Sequence, residues 1–211
     1  SILAGVAIVA GGIESYSTAI KYDRLEQFRI RTMPAMRYLR GLQTPAEMSG
    51  GRYPTVLSTS IMVADYLPTV TTFRPMWTPH TNSTGGVDYH ENRRLLYLYL
   101  YFGGYGEEQL RKALDEQVFE FRAALFGGGR ALSELVGDAQ PITADEVERE
   151  VRLYGEFLKT ADRETVTQPE LSYLVIPLEA EPDYTRLDKW YVRSDDQIVG
   201  DFRVARLTLR P

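Results

Sequence analysis

Residues 54–77 read PTVLSTSIMVADYLPTVTTFRPMW, and this stretch decides the fold class. A short β-prone run at 54–58 precedes a segment of helical pattern at 60–67, which we expect Pro68 to end. A second β-prone run covers residues 69–77. Strand, helix and strand in this order predict the start of an α/β unit whose two strands pair in parallel.

Downstream, the spacing of apolar residues predicts two long helices. Residues 107–126 place leucines and phenylalanines on one stripe, and three glycines at 127–129 mark the end of that helix. Thr143 and Glu146 form a capping box that opens a second helix reaching residue 159. We assign the charges of this second helix to a solvated face: Glu148, Arg149, Glu150 and Arg152.

Strand patterns return at the C-terminal end, at residues 171–178, 189–193 and 202–207, with turns expected at 195–196 and 200–201. Residues 93–102 alternate leucine with tyrosine, so periodicity favours a strand there, although a helix stays open. The fold class predicted is α/β: a three-layer domain in which helices flank a small mixed sheet.

Upstream, residues 22–42 carry apolar residues at helical spacing, which predicts an amphipathic helix bent or broken near Pro34. Residues 1–13, SILAGVAIVAGGI, carry no charge, and no basic residue precedes them as it would in a signal peptide. A full membrane span needs about 20 apolar residues. We therefore expect residues 1–21 to be the end of a transmembrane helix and residues 22–211 to form one extramembrane domain. A core helix of a soluble protein is the alternative.

The composition of the chain excludes or disfavours several classes of partner and site. The chain has 211 residues, a formal net charge of -5 and no cysteine. An acidic balance disfavours nucleic acid as a partner. Without cysteine the chain forms no disulfide, iron–sulfur cluster or thiolate zinc site.

The order of these features resembles a known family. The segments that carry the resemblance are TVLS at 55–58, LP at 67–68, FRPMW at 73–77, RRLL at 93–96, YLVIP at 173–177, LDKWY at 187–191 and FRVARL at 202–207. Together they resemble the C-terminal extramembrane domain of polytopic bacterial GT-C type membrane glycosyltransferases, similar to the dolichyl-phosphate-mannose protein mannosyltransferase group. The two long helices at 107–126 and 144–159 depart from that pattern.

The resemblance implies a domain that assists binding of a substrate or headgroup beside a membrane enzyme that uses a lipid-linked sugar. The catalytic residues and the lipid-phosphate site would lie upstream of Ser1, so none is carried over, and no cofactor is implied. The implied partner is a membrane lipid or lipid-linked sugar, and the implied location is the extracytoplasmic side of the cell membrane. Basic residues within residues 21–40 favour the cytoplasmic side instead.

Polar side chains concentrate in residues 78–94, which hold both histidines of the chain. If Val56 and Met76 lie on neighbouring parallel strands, the loops after them open at the edge where α/β sheets bind ligands. Trp77 would then offer a stacking platform for a sugar. The candidate binding residues are Ser58, Thr59, Ser60, Trp77, His80, Asn82, His90, Glu91 and Arg93.

Other functions compete with this one. His80, His90 and Glu91 do not follow the spacing of a helical zinc motif, so we predict no metal site. A soluble α/β enzyme that uses the loop between His80 and Arg93 is one alternative. A non-catalytic interaction domain on a membrane anchor is another.

Overall fold

The computed structural model describes residues 26–42, 53–82, 88–135, 137 and 141–211. The transmembrane end expected at residues 1–21 lies outside this set. None of the described helices combines the length and the apolar character that crossing a bilayer requires.

A mixed five-stranded sheet organises the described chain. Its strands are β1 (Thr55–Ser58), β2 (Arg74–Pro75), β3 (Leu171–Pro177), β4 (Tyr191–Val199) and β5 (Phe202–Leu209). Their spatial order is β2-β1-β3-β5-β4. β1 pairs in parallel with both β2 and β3, whereas β5 pairs antiparallel with β3 and β4. The small mixed sheet and the parallel pairing of β1 with β2 are thus confirmed.

One helix precedes the sheet, and the others lie in the connections between its strands. They are α1 (residues 26–41), α2 (Ile61–Val70), α3 (Tyr89–Phe102), α4 (Glu107–Asp115), α5 (Phe119–Phe126), α6 (Gly128–Leu135), α7 (Ala144–Thr160), α8 (Arg163–Val166) and α9 (Thr185–Trp190). A 3-10 turn covers Pro79–Asn82. Ser60 caps α2, and Thr143 with Glu146 forms the expected capping box of α7.

The two faces of the sheet support two separate cores, because neighbouring residues of a strand point to opposite faces. One face contributes Val56, Tyr173, Val175, Phe202 and Val204, which pack against α1 and α2. The other face contributes Leu57, Leu174, Ile176, Ala205 and Leu207, which pack against α3, α4, α5 and α7. The predicted three-layer arrangement is confirmed.

Residues 93–102 belong to helix α3 and not to a strand. Every residue from Leu96 to Phe102 is at most 7% exposed. A helix that is buried on all sides needs no polar face, so its sequence shows no period of 3.6 residues. Asp88 caps the helix by accepting from the backbone N–H of Glu91 at 2.8 Å.

Helix α2 does not end where the sequence predicts. It runs past Pro68 to Val70, because the backbone N–H and the hydroxyl of Thr71 both donate to the carbonyl of Leu67, at 3.0 and 2.9 Å. The β-rich run expected at 69–77 therefore shrinks to Arg74–Pro75. Likewise, α1 is continuous through Pro34 over its described residues.

The helix expected over residues 107–126 is two helices, α4 and α5. Gln117 adopts φ 57°, a left-handed conformation that no α-helix accommodates. The buried guanidinium of Arg122 donates to the carbonyl of Leu114 at 3.1 Å. This carbonyl lies in the last turn of α4, where backbone carbonyls have no following helical turn to donate to them. Nor do residues 195–196 form a turn between strands, since both lie inside β4.

One charge of α7 is buried, contrary to the prediction of a solvated face. The side chain of Glu150 is 5% exposed and accepts from Arg93 Nε at 2.7 Å and from the Tyr97 hydroxyl at 2.5 Å. Its neighbour Glu148 is 57% exposed and pairs with Arg111. Glu150 thus ties α7 to α3.

We expect Glu150→Ala to lower the free energy of unfolding by about 3 kcal/mol, because it leaves Arg93 without its buried counter-charge. Chemical denaturation measures this. Glu148→Ala is the matched control, since it removes an exposed pair from the same helix and should change stability little. Equal losses for the two variants would contradict a structural role for Glu150.

Candidate functional site

The order in which strands are added to the sheet reverses at β1, because β2 lies on one side of it and β3 on the other, and this creates a crevice. The connection from β1 to β2 runs through α2 on one face of the sheet, whereas the connection from β2 to β3 runs through helices on the other face. In open α/β sheets, ligands bind outside the carboxyl ends of the strands at such a switch point. Here the relevant ends are those of β1 and β3.

A cleft occupies this position. It consists of two adjoining hollows of about 520 and 200 Å³, which share Thr59, Tyr99 and Tyr105 in their walls. The smaller hollow reaches residues 180–182, just beyond β3, and the larger reaches α4 and α5. We call the two together the switch-point cleft.

Aromatic rings form the inner wall of the switch-point cleft. The ring of Phe121 lies 6.4 Å from Tyr99 and 6.0 Å from Tyr105, centroid to centroid. Behind them, the ring of Trp77 packs at 5.1 Å from Tyr99 and 6.1 Å from Phe121. The indole N–H of Trp77 donates to Asn92 Oδ1 at 3.1 Å, which fixes the orientation of the ring.

Hydroxyl groups complete this wall. The Tyr99 hydroxyl donates to the carbonyl of Thr59 at 3.1 Å. The carbonyl of Tyr105 accepts from the Tyr154 hydroxyl at 2.9 Å, which holds the backbone of Tyr105 in place. Burial raises the pKa of both Tyr99 and Tyr105, so both remain neutral phenols at physiological pH.

Thr59 carries the most unusual polar group of the cleft. Its Oγ1 is buried, yet it has no hydrogen-bond partner in the part of the chain that the structure describes. Buried hydroxyls are normally paired, because an unpaired one costs free energy. Thr59 lines both hollows, so this buried hydroxyl lies next to the space that a ligand would occupy.

The rim of the cleft is polar and charged. Gln109 Oε1 accepts from the backbone N–H of Gly106 at 2.9 Å, and Lys112 lies 3.7 Å from Glu116. Both charged side chains are mostly exposed, so water screens this ion pair.

The predicted site residues on β1 and after it lie at this edge. Thr59 and Ser60 line the cleft. Ser58 is 3% exposed and its Oγ accepts from the backbone N–H of Ser60 at 3.2 Å. Trp77, in contrast, is 1% exposed, so it supports the aromatic wall from behind and presents no face to a ligand.

His80 lies away from the cleft lining, beside Asp65. Its Nε2 is 3.6 Å from Asp65 Oδ2, and its side chain is 74% exposed. Burial raises the pKa of Asp65, and the nearby Glu120 raises it further, whereas His80 opposes the shift. The side chain of Asn82 lies outside what the structure describes.

The remaining predicted residues lie on α3 and are held in structural pairs. Glu91 forms a bidentate pair with Arg94 at 2.7 Å, which lowers the pKa of Glu91. Arg93 pairs with Glu150, and the exposed His90 contacts the ring of Tyr89 edge-on. Among the described residues, no three His, Asp or Glu side chains are grouped to hold a metal ion.

Sequence reasoning missed Tyr99, Tyr105, Gln109 and Phe121. Tyr99 lies in the leucine–tyrosine run whose alternation favours a strand, so its place on a buried helix was not predicted. The signal that identifies Tyr105 is its place in the turn GGYG at 103–106, directly after α3.

Comparison with protein-family models, with curated proteins and with solved structures gave no match for this chain.

Trp77 and His80 should respond differently to truncation. We expect Trp77→Ala to lower the free energy of unfolding by about 3–5 kcal/mol, because it empties a core position behind the aromatic wall. His80→Ala should change stability little, because the side chain is largely exposed. Thermal and chemical denaturation test both, and a Trp77→Ala variant as stable as wild type would contradict the core placement.

The partly buried carboxyl of Asp65 should make stability depend on pH. Because partial burial raises its folded pKa above the ordinary aspartate value of about 3.9, the stability that its protonated form contributes is present below that pH and is lost as the pH rises through the folded pKa. Asp65→Asn does not titrate, so its stability relative to wild type should rise between about pH 3 and pH 7.

Chemical denaturation across this pH series measures the trend. It should persist in a His80→Ala background, since burial and not His80 is the largest cause of the shift. A constant difference between the two proteins at all pH values would contradict a raised pKa for Asp65.

Proposed function

We propose that this chain is the C-terminal extramembrane domain of a multi-span membrane glycosyltransferase that uses a lipid-linked sugar donor. In this proposal the domain binds the sugar-bearing headgroup of donor or acceptor in the switch-point cleft and does not itself catalyse transfer. The observation that carries the binding role is an aromatic-walled cleft whose two hollows both border Thr59, a residue with a buried, unpartnered hydroxyl.

The chemistry of the cleft favours a sugar. Sugars present apolar C–H faces that pack on aromatic rings, together with hydroxyls that need hydrogen-bond partners. Tyr99, Tyr105 and Phe121 supply the rings, and Thr59 and Gln109 supply polar atoms next to them. Small-molecule sites combine such apolar walls with a few placed polar groups.

A binding role fits the charges of the cleft better than a catalytic one. Lys112, Glu116 and Glu181 are exposed at its rim. Within the described walls no nucleophile is paired with a base, and no two carboxylates face each other in a buried position. The alternative site between His80 and Arg93 is weakened because Glu91 and Arg93 are engaged in structural ion pairs.

The membrane setting of the proposal rests on the apolar run at residues 1–13 and on the family resemblance described above. It requires several hydrophobic spans encoded immediately upstream of Ser1. Sequencing that region tests the setting independently of ligand binding. A start codon close to Ser1 with no span before it would exclude the glycosyltransferase assignment.

Substitution of Thr59 tests the binding role. We expect Thr59→Val to weaken the binding of a methyl glycoside about fivefold, the equivalent of one hydrogen bond worth about 1 kcal/mol. The same variant should unfold at no lower temperature than wild type, because the hydroxyl it removes has no partner. NMR titration of the chain with methyl α-mannoside and methyl α-glucoside measures affinity.

Thr59→Ser is the matched control, since it keeps the hydroxyl and should keep the affinity. In the full-length enzyme, Thr59→Val should lower the transfer rate while Thr59→Ser preserves it. Equal affinities for the Val and Ser variants, or glycoside-induced shifts confined to residues outside the cleft, would exclude Thr59 as a ligand contact.

A further inference from the structure

We infer a second ligand site on the opposite face of the sheet, between the C-terminal end of α1 and strands β4 and β5, which takes a neutral polyhydroxylated unit such as a sugar ring. The hollow measures about 510 Å³, within the rough range of 300–1,000 Å³ typical of small-molecule sites. Its walls include Tyr38, Leu42, Tyr173, Asp195, Gln197 and Arg206. We call it the α1 groove.

The α1 groove exists because the sheet extends farther than its helical cover. α1 packs over the row formed by Val175 and Val204, which face each other across β3 and β5. The next row along the sheet contains Tyr173, Arg206 and Ser194, which are paired in register. Helix α1 ends at residue 41, so among the described elements this row is open on that face.

A β-bulge in β4 turns polar groups into the groove. Ser194 pairs with Arg206 and Gln197 pairs with Val204, so two residues, Asp195 and Asp196, oppose the single residue between them on β5. Bulges of this kind change the direction in which side chains point and are frequent beside functional sites. Asp195 and Gln197 both line the groove as a result.

The backbone of Asp195 adopts a conformation that side chains other than glycine seldom take. Its φ is 52°, in the left-handed region. The next residue, Asp196, lies 3.5 Å from Arg203 in an ion pair. Asp196 therefore has a structural partner, whereas Asp195 lines the groove.

Two opposite charges in the groove have no partner within the described chain. The side chains of Arg206 and Asp195 are both exposed, and neither forms a hydrogen bond or ion pair with another residue that the structure describes. A guanidinium only donates hydrogen bonds and a carboxylate only accepts them. A hydroxyl does both, so one polyol can replace water at both groups, whereas an anion would be repelled by Asp195 and a cation by Arg206. Tyr38 and Tyr173 add phenol rings to the walls.

The inference does not rest on the proposed function, because the α1 groove and the switch-point cleft lie on different parts of the sheet and share no residue. The test is an NMR titration of the isotope-labelled chain with methyl α-mannoside, methyl α-glucoside and methyl β-galactoside. Sodium glutamate and arginine hydrochloride serve as charged probes. We expect at least one glycoside to shift the amide signals of Asp195, Gln197 and Arg206.

The variants separate binding from folding. Asp195→Gly removes the carboxylate and adopts positive φ without strain, so it should weaken glycoside binding in the groove about fivefold while leaving the melting temperature unchanged or higher. Arg206→Gln should weaken it similarly. Asp196→Asn, one residue away on the structural side of the bulge, is the matched control and should bind like wild type.

Each outcome decides between the sites. Shifts in the groove that Asp195→Gly abolishes support the inference even if the signals of Tyr99 and Tyr105 do not move. Shifts at Tyr99 and Tyr105 alone support only the switch-point cleft and overturn the inference. A charged probe that binds the groove more tightly than every glycoside, or an Asp196→Asn variant as impaired as Asp195→Gly, also overturns it.

Discussion

The fold depends on burying β1 on both faces and along both edges. All four of its residues are buried, and it is hydrogen-bonded to a parallel strand on each side. Parallel sheets must be covered on both faces, because the connections that create them place helices there. Val56 and Leu57, adjacent in sequence, therefore belong to two different cores. The cleft at the end of β1 is a direct consequence, since the two connections diverge at that point.

The larger core is centred on α3, a helix that has almost no solvent-facing side. Seven consecutive residues, Leu96 to Phe102, are buried, and four of them are aromatic. Three tyrosines inside a core require polar partners, and each finds one: Tyr97 on Glu150, Tyr99 on Thr59 and Tyr101 on the indole of Trp190. These bonds connect α3 to α7, to the end of β1 and to α9. The aromatic wall of the cleft is thus a part of the core that reaches the surface.

Sequence patterns predicted the features that depend on interactions between residues close together in the chain. The capping residues Thr143 and Glu146, the strand β1 and the three-layer architecture follow from hydrogen-bonding caps and apolar periodicity. Those patterns failed where tertiary contacts override them. A helix buried on every side gives no helical period, and the break at Gln117 depends on Arg122 reaching back to Leu114. Likewise, Glu150 reads as one more surface charge unless its partners on α3 are known.

The candidate site was predictable in position but not in composition. The switch-point rule led to the edge after β1, and Thr59 and Ser60 lie there. The rule could not say which other elements reach that edge, because Tyr99, Tyr105 and Phe121 arrive from α3, the turn after it and α5. Tryptophan and histidine are chosen as site candidates because of their side-chain chemistry, yet that chemistry does not determine whether the side chain is exposed to a ligand. The indole of Trp77 has a larger apolar surface than an imidazole. The property that suits Trp77 to stack on a sugar therefore also favours its burial in the core.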